Sequence, residues 1–307
     1  MWNRSELGAG TRGSSLGLDA LAIAALKKGN TFFYKAPSVT VEINNNALAD
    51  PINHQCAKRL EYILPVYENV CKQVSQLLEG NRFPLILSGD HSSAGGSVAG
   101  VKKAFPDKRV GVIWIDAHAD LHSPYTSPSG NVHGMPVATI LNKDNKAQAN
   151  NQLDEATTAL WEKLKRVGGI APKALPEDVV FIAVRDTEKE EDHLIEKYNI
   201  KNYKTAAVRS KGVATILQEI KSERLADCDV VYVTFDVDSL DCDVVSHGTG
   251  TPVKNGLYPE EAVDFIKGLI SWEKVVALEV TEINPLLDEK RNRMAEVAYE
   301  VLSDIII

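Results

Sequence analysis

Residues 112–134 read VIWIDAHADLHSPYTSPSGNVHG, an apolar run followed at once by acids and histidines. The run is rich in Val and Ile and apolar on both faces, which predicts a buried strand of a parallel sheet. Asp116, His118 and Asp120 then occupy alternate positions, and extended backbone points such residues to the same side. Charged groups this close to a buried strand are costly unless something compensates them, so the stretch indicates a ligand as well as a strand.

The same apolar character recurs along the chain. With the strand at 109–116, it predicts strands at 83–90, 178–186, 229–238 and 274–282. Patterns typical of helices lie between them, at 53–79 (kinked or broken at Pro65), 95–105, 152–166, 189–197, 210–223, 259–271 and 287–304. Strands that alternate with helices predict a parallel sheet covered by helices on both sides. No internal repeat or linker divides the pattern, so we expect one domain over residues 1–307, with 142–155 as an exposed loop.

Composition limits the classes of function. The 307 residues include 34 Lys and Arg against 42 Asp and Glu, and the net charge of −8 disfavours nucleic acid and anionic membranes as main partners. No apolar run reaches the roughly 18 residues of a membrane-spanning helix, and the first ten residues lack the apolar segment of a signal peptide. The cysteines form no CxxC pair, so we expect reduced thiols and a cytoplasmic protein.

Unusual polar residues follow nearly every predicted strand. They are Asp90 and His91, Asp116 to Asp120, Arg185 and Asp186, Asp236 and Asp238, and Glu282. In open parallel sheets, ligands bind beyond the carboxyl ends of the strands. We therefore expect these side chains to build one site.

Six of these residues have the character of metal ligands. They are His91, Asp116, His118, Asp120, Asp236 and Asp238. Carboxylates gathered without a cation would repel one another and take up protons, a problem that two divalent cations remove. A donor set of imidazoles and carboxylates without thiolate favours Mn²⁺, with Fe²⁺ or Co²⁺ as alternatives and Zn²⁺ less suited. Such a pair activates water, which predicts metal-assisted hydrolysis. A single D-x-H or D-x-D after a strand is common without metal, but the joint pattern with SGDHSS (88–93) favours a metal site.

Several motifs together resemble a known family, the ureohydrolases, which comprises arginases, agmatinases and formiminoglutamases. The matching blocks are ELGAGTRGSSLG (6–17), SGDHSSAGGS (88–97), DAHADLHSPYTSPSGNVHGMP (116–136), FDVDSLD (235–241) and EVTEINP (279–285). The resemblance implies a three-layer α/β/α sandwich around a parallel sheet of about eight strands. It also implies two Mn²⁺ per chain, hydrolysis of a small guanidino compound to urea and an amine, and a homo-oligomer.

The resemblance also assigns roles to the metal-ligand candidates. His91, Asp116, Asp120 and Asp236 would hold one manganese, and His118, Asp116, Asp236 and Asp238 would hold the other. Asp120 would in addition accept a hydrogen bond from the nucleophile. Glu282 would pair with the guanidinium, a planar fork suited to a carboxylate. His133 would shuttle a proton, as an imidazole that titrates near neutral pH can do.

The loop TSPSGNVHG (126–134) is similar to the version found in arginases, in which a serine and an asparagine bind the α-carboxylate of L-arginine. Ser129 and Asn131 occupy those positions, and Thr251 is also expected at the substrate. Agmatine has no carboxylate, so the resemblance favours hydrolysis of L-arginine to L-ornithine and urea.

Three residues near the substrate end depart from the pattern of arginases. His122 stands where an asparagine is common, Glu188 replaces an aspartate that would contact the α-amino group, and Cys242 replaces a proline in a loop about one residue longer. An agmatinase, a formiminoglutamase or a hydrolase of another guanidino acid are therefore alternatives. A zinc deacetylase-like enzyme with a single metal and a non-catalytic binding protein are weaker ones.

Other polar residues have structural interpretations beside functional ones. Arg185 is expected either to form a salt bridge or to shape the site, and His247, in a loop rich in Gly and Thr, is expected at the surface or near the substrate. Cys242 has no base placed to activate it, so we expect a packing residue. The charged run 187–197 predicts a solvated helix face, of which only the first turn approaches the site.

Overall fold

A parallel sheet crosses the part of the chain that the computed structural model describes, residues 1–306. Its seven strands there are β1 Trp2–Asn3, β2 Leu85–Ser88, β3 Val110–Ile115, β4 Val179–Ile182, β5 Lys201–Tyr203, β6 Val230–Asp236 and β7 Val275–Thr281. In space they lie in the order β1-β2-β7-β6-β3-β4-β5, and every neighbouring pair is parallel. The five predicted strands are confirmed. The short strands β1 and β5 are new, because two or three residues leave no apolar pattern.

Helices connect and cover the strands. They are α1 Gly17–Lys27, α2 Phe32–Lys35, α3 Leu60–Glu79, α4 Ala94–Ala104, α5 Pro136–Leu141, α6 Glu155–Lys165, α7 Lys189–Tyr198, α8 Thr205–Lys211, α9 Val213–Glu219, α10 Pro259–Ile270 and α11 Arg293–Leu302. Within residues 1–306, no helix is both long enough and apolar enough to span a membrane.

Helix bounds differ from the predictions at three places. The helix predicted at 53–79 begins at Leu60 and continues through Pro65 as one helix. The helix predicted at 210–223 divides at Gly212, whose φ of 81° is left-handed and interrupts the helical backbone. The helix predicted at 287–304 begins only at Arg293, after a series of turns. The sequence analysis missed α1, α2 and α5, which are short or, like the alanine-rich α1, buried around most of their surface.

Two hydrophobic cores enclose the sheet, one on each face. Alternate residues of β3 separate between them: Trp114 belongs to one core, and its neighbours Ile113 and Ile115 belong to the other. The first core is shared with α3, α4, α5, α6 and α7, and the second with α1, α9, α10 and α11. This is the three-layer α/β/α arrangement that the sequence analysis predicted.

The order of the strands brings the polar loops together. The neighbours β2, β7, β6, β3 and β4 form the central part of the sheet, and the predicted site residues follow their carboxyl ends. Since all strands are parallel, these ends lie at one edge, where the crevice of an open parallel sheet binds ligands.

Candidate metal centre and substrate cavity

One cavity of about 240 Å³ lies at the carboxyl edge of the sheet. It is lined by every residue that the sequence analysis assigned to metal, catalysis or substrate. These are His91, Asp116, His118, Asp120, His122, Ser129, Asn131, His133, Glu188, Asp236, Asp238, Thr251 and Glu282. Asp186, Ser127, Pro128, Gly134 and Glu191 complete the lining.

The inner end of the cavity holds one imidazole among three carboxylates. Nδ1 of His91 lies 3.0 Å from Oδ2 of Asp116, 3.2 Å from Oδ2 of Asp120 and 3.2 Å from Oδ2 of Asp236. The four side chains come from the loops after β2 and β3 and from the last residue of β6, and all are buried. We call these four residues the inner cluster.

Two neighbours fix the ring of His91. Nε2 lies 2.9 Å from Oγ1 of Thr234, and the ring stacks on Trp114 with centroids 4.1 Å apart and planes inclined by 14°. When Nε2 carries the proton and donates it to Thr234, Nδ1 presents its lone pair to the carboxylates. A second partner of this kind is typical of metal-binding histidines.

A second cluster, the outer cluster, consists of Asp116, His118 and Asp238. Nδ1 of His118 lies 3.0 Å from Oδ2 of Asp238 and 3.5 Å from Oδ1 of Asp116. Asp116 therefore presents one oxygen to each cluster. Asp236 is held in a similar way: its Oδ1 accepts a hydrogen bond from the backbone N–H of Asp238 at 2.8 Å, and its Oδ2 faces the inner cluster. Oδ1 of Asp116 likewise accepts one from the backbone N–H of His118 at 2.7 Å.

The residues present fit divalent cations. Nδ1 of His91 and Oδ2 of Asp116 are buried and form no hydrogen bond with any residue of 1–306, although they lie 3.0 Å apart, as expected of ligands aimed at a common centre. Burial and the charge of Asp116 raise the pKa of Asp120 to about 6. Burial and the charges of Asp238 and Asp116 raise the pKa of Asp236 well above its usual value. Cations would remove this penalty for crowding buried carboxylates.

Backbone conformation aims two of the acids into the cavity. Asp120 and Glu282 have φ values of 50° and 65°, in the left-handed region that residues other than glycine rarely adopt. Such residues concentrate at functional sites, where the surrounding structure maintains them. The carbonyl of Asp120 accepts a hydrogen bond from the N–H of Val137, and that of Gly134 accepts one from the N–H of His122, so the two ends of the loop 120–137 are joined.

Glu282 links the metal clusters to His133. Its Oε1 accepts hydrogen bonds from the backbone N–H of His91 at 3.0 Å and from Nδ1 of His133 at 3.1 Å. Burial by itself would lower the pKa of His133, but the hydrogen bond and charge of Glu282, with the charges of Asp120 and Asp90, raise it to about 9.

The glycine-rich segment near the start of the chain supports the same loop. Oδ2 of Asp90 accepts hydrogen bonds from the N–H groups of Gly8 and Ala9, at 2.7 and 3.2 Å, and the carbonyl of Gly8 accepts one from the N–H of His133. A Cβ at Gly8 would lie 2.5 Å from Cβ of Ser92, so only glycine fits this close approach.

A model of the arginase family matches residues 6–307. This chain belongs to the arginase family. The arginase of Brevibacillus brevis is 32% identical over 304 residues, which cover 98% of this chain and 94% of that protein. The arginase of Bacillus caldovelox is 36% identical over 248 residues, 81% of this chain and 76% of that protein. The crystal structure of Bacillus subtilis arginase matches with a TM-score of 0.79 and 30% identity over 99% of this chain and 94% of that one.

The outer end of the cavity carries an ion-paired group around His122. Nδ1 of His122 lies 3.1 Å from Oγ1 of Thr126, and Nε2 lies 3.0 Å from Oε2 of Glu188 and 3.7 Å from Oε2 of Glu191. Glu188 and Glu191 cap the N-terminus of α7 as a capping box. His122 thus ties the loop 123–131 to α7.

Glu191 is a site residue that the sequence analysis missed. The charged run 187–197 predicted a solvated face with only the first turn near the site, and it singled out no residue there except Glu188. Glu191 lies in that first turn; its side chain is only 3% exposed, and burial raises its pKa to about 8. Its position three residues after the capping residue Glu188 is the signal that could have identified it.

Lys58 is a second residue that no motif indicated. Its Nζ lies 3.4 Å from Oδ1 of Asn131, and its backbone N–H donates to the carbonyl of Gly130 at 2.7 Å. Gly130 has a φ of 71°, and a Cβ there would lie 2.0 Å from the carbonyl oxygen of Gln55. The segment before α3 therefore clamps the loop that carries Ser129 and Asn131.

Arg185 and His247 lie outside the reacting centre. Arg185 forms no salt bridge within residues 1–306; it donates to backbone carbonyls, among them those of Asp238 at 3.0 Å and Val253 at 2.8 Å, and so ties the loop after β6 to the loop after β4. In the loop after β6, Oγ1 of Thr251 donates to Oδ2 of Asp238 at 3.1 Å. His247 does not line the cavity.

Proposed function

We propose that this chain is a metal-dependent hydrolase that converts L-arginine and water to L-ornithine and urea, with two Mn²⁺ per chain. The observation that carries the proposal is Asp116, whose two oxygens face two clusters of histidine and aspartate at the closed end of one cavity. The relatives named above support the substrate, since all three are arginases.

The inner and outer clusters would hold the cations, with Asp116 shared and Asp236 as the second candidate bridge. When bound, such a pair would lower the pKa of water, so that a hydroxide able to attack a guanidinium carbon is available at neutral pH. Asp120, at the edge of the inner cluster, is placed to accept a hydrogen bond from that nucleophile and so to hold it in line. Its left-handed backbone keeps the carboxylate in this position.

Glu282 and His133 would act on the guanidinium. Glu282 presents its carboxylate to the cavity, where its Oε2 can accept a hydrogen bond from a planar guanidinium. Nδ1 of His133 donates a hydrogen bond to the carboxylate of Glu282, 3.1 Å away. The protonated imidazole is positioned to deliver a proton to the leaving amine. The pair then regains its proton from solvent at the cavity mouth.

The outer walls of the cavity have complementary chemistry for an amino-acid tail. Ser129 and Asn131 offer donors to a carboxylate, with the ammonium of Lys58 behind Asn131, and Asp186 and Glu188 offer acceptors to an α-amino group. Agmatine would leave the donors without a partner. One observation favours a second candidate, a guanidino acid without an α-amino group: His122 already pairs with Glu188 at 3.0 Å.

A panel of substrates tests the proposal. Protein reconstituted with Mn²⁺ should release urea from L-arginine faster than from agmatine or 4-guanidinobutanoate, and metal analysis should give about two Mn²⁺ per chain. Faster release from 4-guanidinobutanoate would establish the second candidate. A single bound Zn²⁺ with no urea from any guanidino compound would refute both.

A further inference from the structure

A cluster of three different metal-ligand types lies in the loop after β6, outside the cavity. One ligand atom each of Cys242, Asp243 and His247 lie within 4.8 Å of one another. None of the three lines the catalytic cavity. We propose that they form a separate site for a transition-metal cation that accepts thiolate sulfur, with Zn²⁺ the best match to a Cys, His and carboxylate set.

The donor chemistry separates this site from the catalytic clusters. The inner and outer clusters offer only oxygen and nitrogen, whereas Cys242 adds a soft sulfur, and among residues 1–306 this is the one such cluster that contains cysteine. Cys242 is 3% exposed, while the side chains of Asp243 and His247 are 53% and 48% exposed. A cation would therefore enter from solvent between the two polar ligands and rest on the sulfur.

The imidazole is already held as a zinc-binding imidazole usually is. Oε1 of Glu289 lies 3.2 Å from Nδ1 of His247, and its Oε2 accepts a hydrogen bond from the backbone N–H at 2.8 Å. With the proton on Nδ1, the lone pair is on Nε2. A carboxylate that orients the ring in this way also makes the histidine a better ligand.

The loop is short and internally braced, so binding needs little ordering of the chain. The three ligands fall within residues 242–247, and the carbonyl of Asp241 accepts hydrogen bonds from the N–H groups of Val244 and Val245, at 3.1 and 2.9 Å. Because the chain between the ligands is short, little conformational entropy is lost when they close around the cation.

Two local features oppose binding of the cation. Nζ of Lys254 lies 3.1 Å from Oδ2 of Asp243, and a cation must displace this pair; both side chains are more than half exposed, so the pair is weak. Burial and the charges of Asp243 and Asp241 raise the pKa of the Cys242 thiol, so the free site holds a proton on sulfur. Binding breaks the S–H bond, forms the sulfur–metal bond and releases one proton to the buffer.

Cobalt titration of the Mn²⁺-saturated protein tests the site, because thiolate–Co²⁺ charge transfer absorbs in the near ultraviolet and oxygen or nitrogen ligands do not produce that band. We expect the band to saturate at one Co²⁺ per chain, with loss in Cys242→Ser. Glu289→Gln should weaken the affinity about 10- to 100-fold. Lys254→Met should strengthen it.

Cys56→Ser is the matched control, since Cys56 is the one cysteine within residues 1–306 that is not buried and lies far along the chain, in the segment before α3. The control should keep the full band. Absence of the band in the wild type, its survival in Cys242→Ser or its loss in Cys56→Ser would each overturn the proposal. If Cys242→Ser fails to fold, unchanged affinity in both Glu289→Gln and Lys254→Met would overturn it. Urea release reports the catalytic clusters separately.

Discussion

Replacement of Thr234 by valine tests the inner cluster with little change in shape. The ring of His91 would lose its partner 2.9 Å from Nε2, in a site where the histidine is 1% exposed and the threonine 0%. A buried donor left without a partner costs about 1–3 kcal/mol. Loss of the partner that orients a metal-binding histidine lowers metal affinity about 10- to 100-fold, or about 1.4–2.8 kcal/mol. We expect Thr234→Val to weaken Mn²⁺ binding by this amount.

Thr281 provides a matched control on the neighbouring strand. It pairs in register with Asp236, is 0% exposed, and its Oγ1 forms no hydrogen bond with any residue of 1–306. Thr281→Val therefore removes a hydroxyl from an equally buried position without depriving a histidine of its partner.

The assay is urea release from L-arginine as a function of Mn²⁺ concentration, after dialysis against chelator. Thr234→Val should require about 10- to 100-fold more Mn²⁺ for half-maximal activity and recover most of kcat at saturation, because no ligand is lost. Thr281→Val should follow the wild-type curve. If the Thr234→Val curve coincides with the wild type, or if both variants shift equally, Thr234 does not orient His91 as a ligand.

Three further predictions use other parts of the site. Lys58→Met should raise the KM for L-arginine several-fold with little change in kcat, since the lost charge lies beside Asn131. Turnover of agmatine should not change, and equal effects on both substrates in steady-state kinetics would contradict this prediction. In chelator-treated protein, the pKa of His133 near 9 lies above its ordinary 6.5, so the pair with Glu282 stabilises the fold fully below about pH 6.5 and ceases to do so as the pH rises through about 9. Urea unfolding should accordingly show His133→Asn to be less stable than the wild type at the acid end of this range and similar to it at the alkaline end; a difference independent of pH would contradict the pairing. Removal of the metal should lower the Tm, and free Mn²⁺ at 1,000 times its Kd should restore about 4 kcal/mol of stability, measured by calorimetry, whereas an unchanged Tm would mean that the clusters bind no cation.

The sequence by itself determined the central strands and the identity of the candidate ligands. A strand such as β3 is buried on both faces, so its burial is recorded in consecutive apolar residues. The alternation of Asp116, His118 and Asp120 likewise follows from the geometry of extended backbone, which needs no distant partner. Polar residues beside such strands are conspicuous because burying them is costly.

Only the tertiary structure decided which groups meet. Thr234 lies 143 residues from His91, Lys58 lies 73 residues from Asn131, and Glu282 lies 149 residues from His133, so no local period relates the members of each pair. The packing of strands, helices and loops in the folded chain determines these contacts. It also determines that Glu191 is buried although it lies in a charged helix. The exposure of a residue depends on what packs against it, whereas sequence periodicity records only how residues repeat along one element.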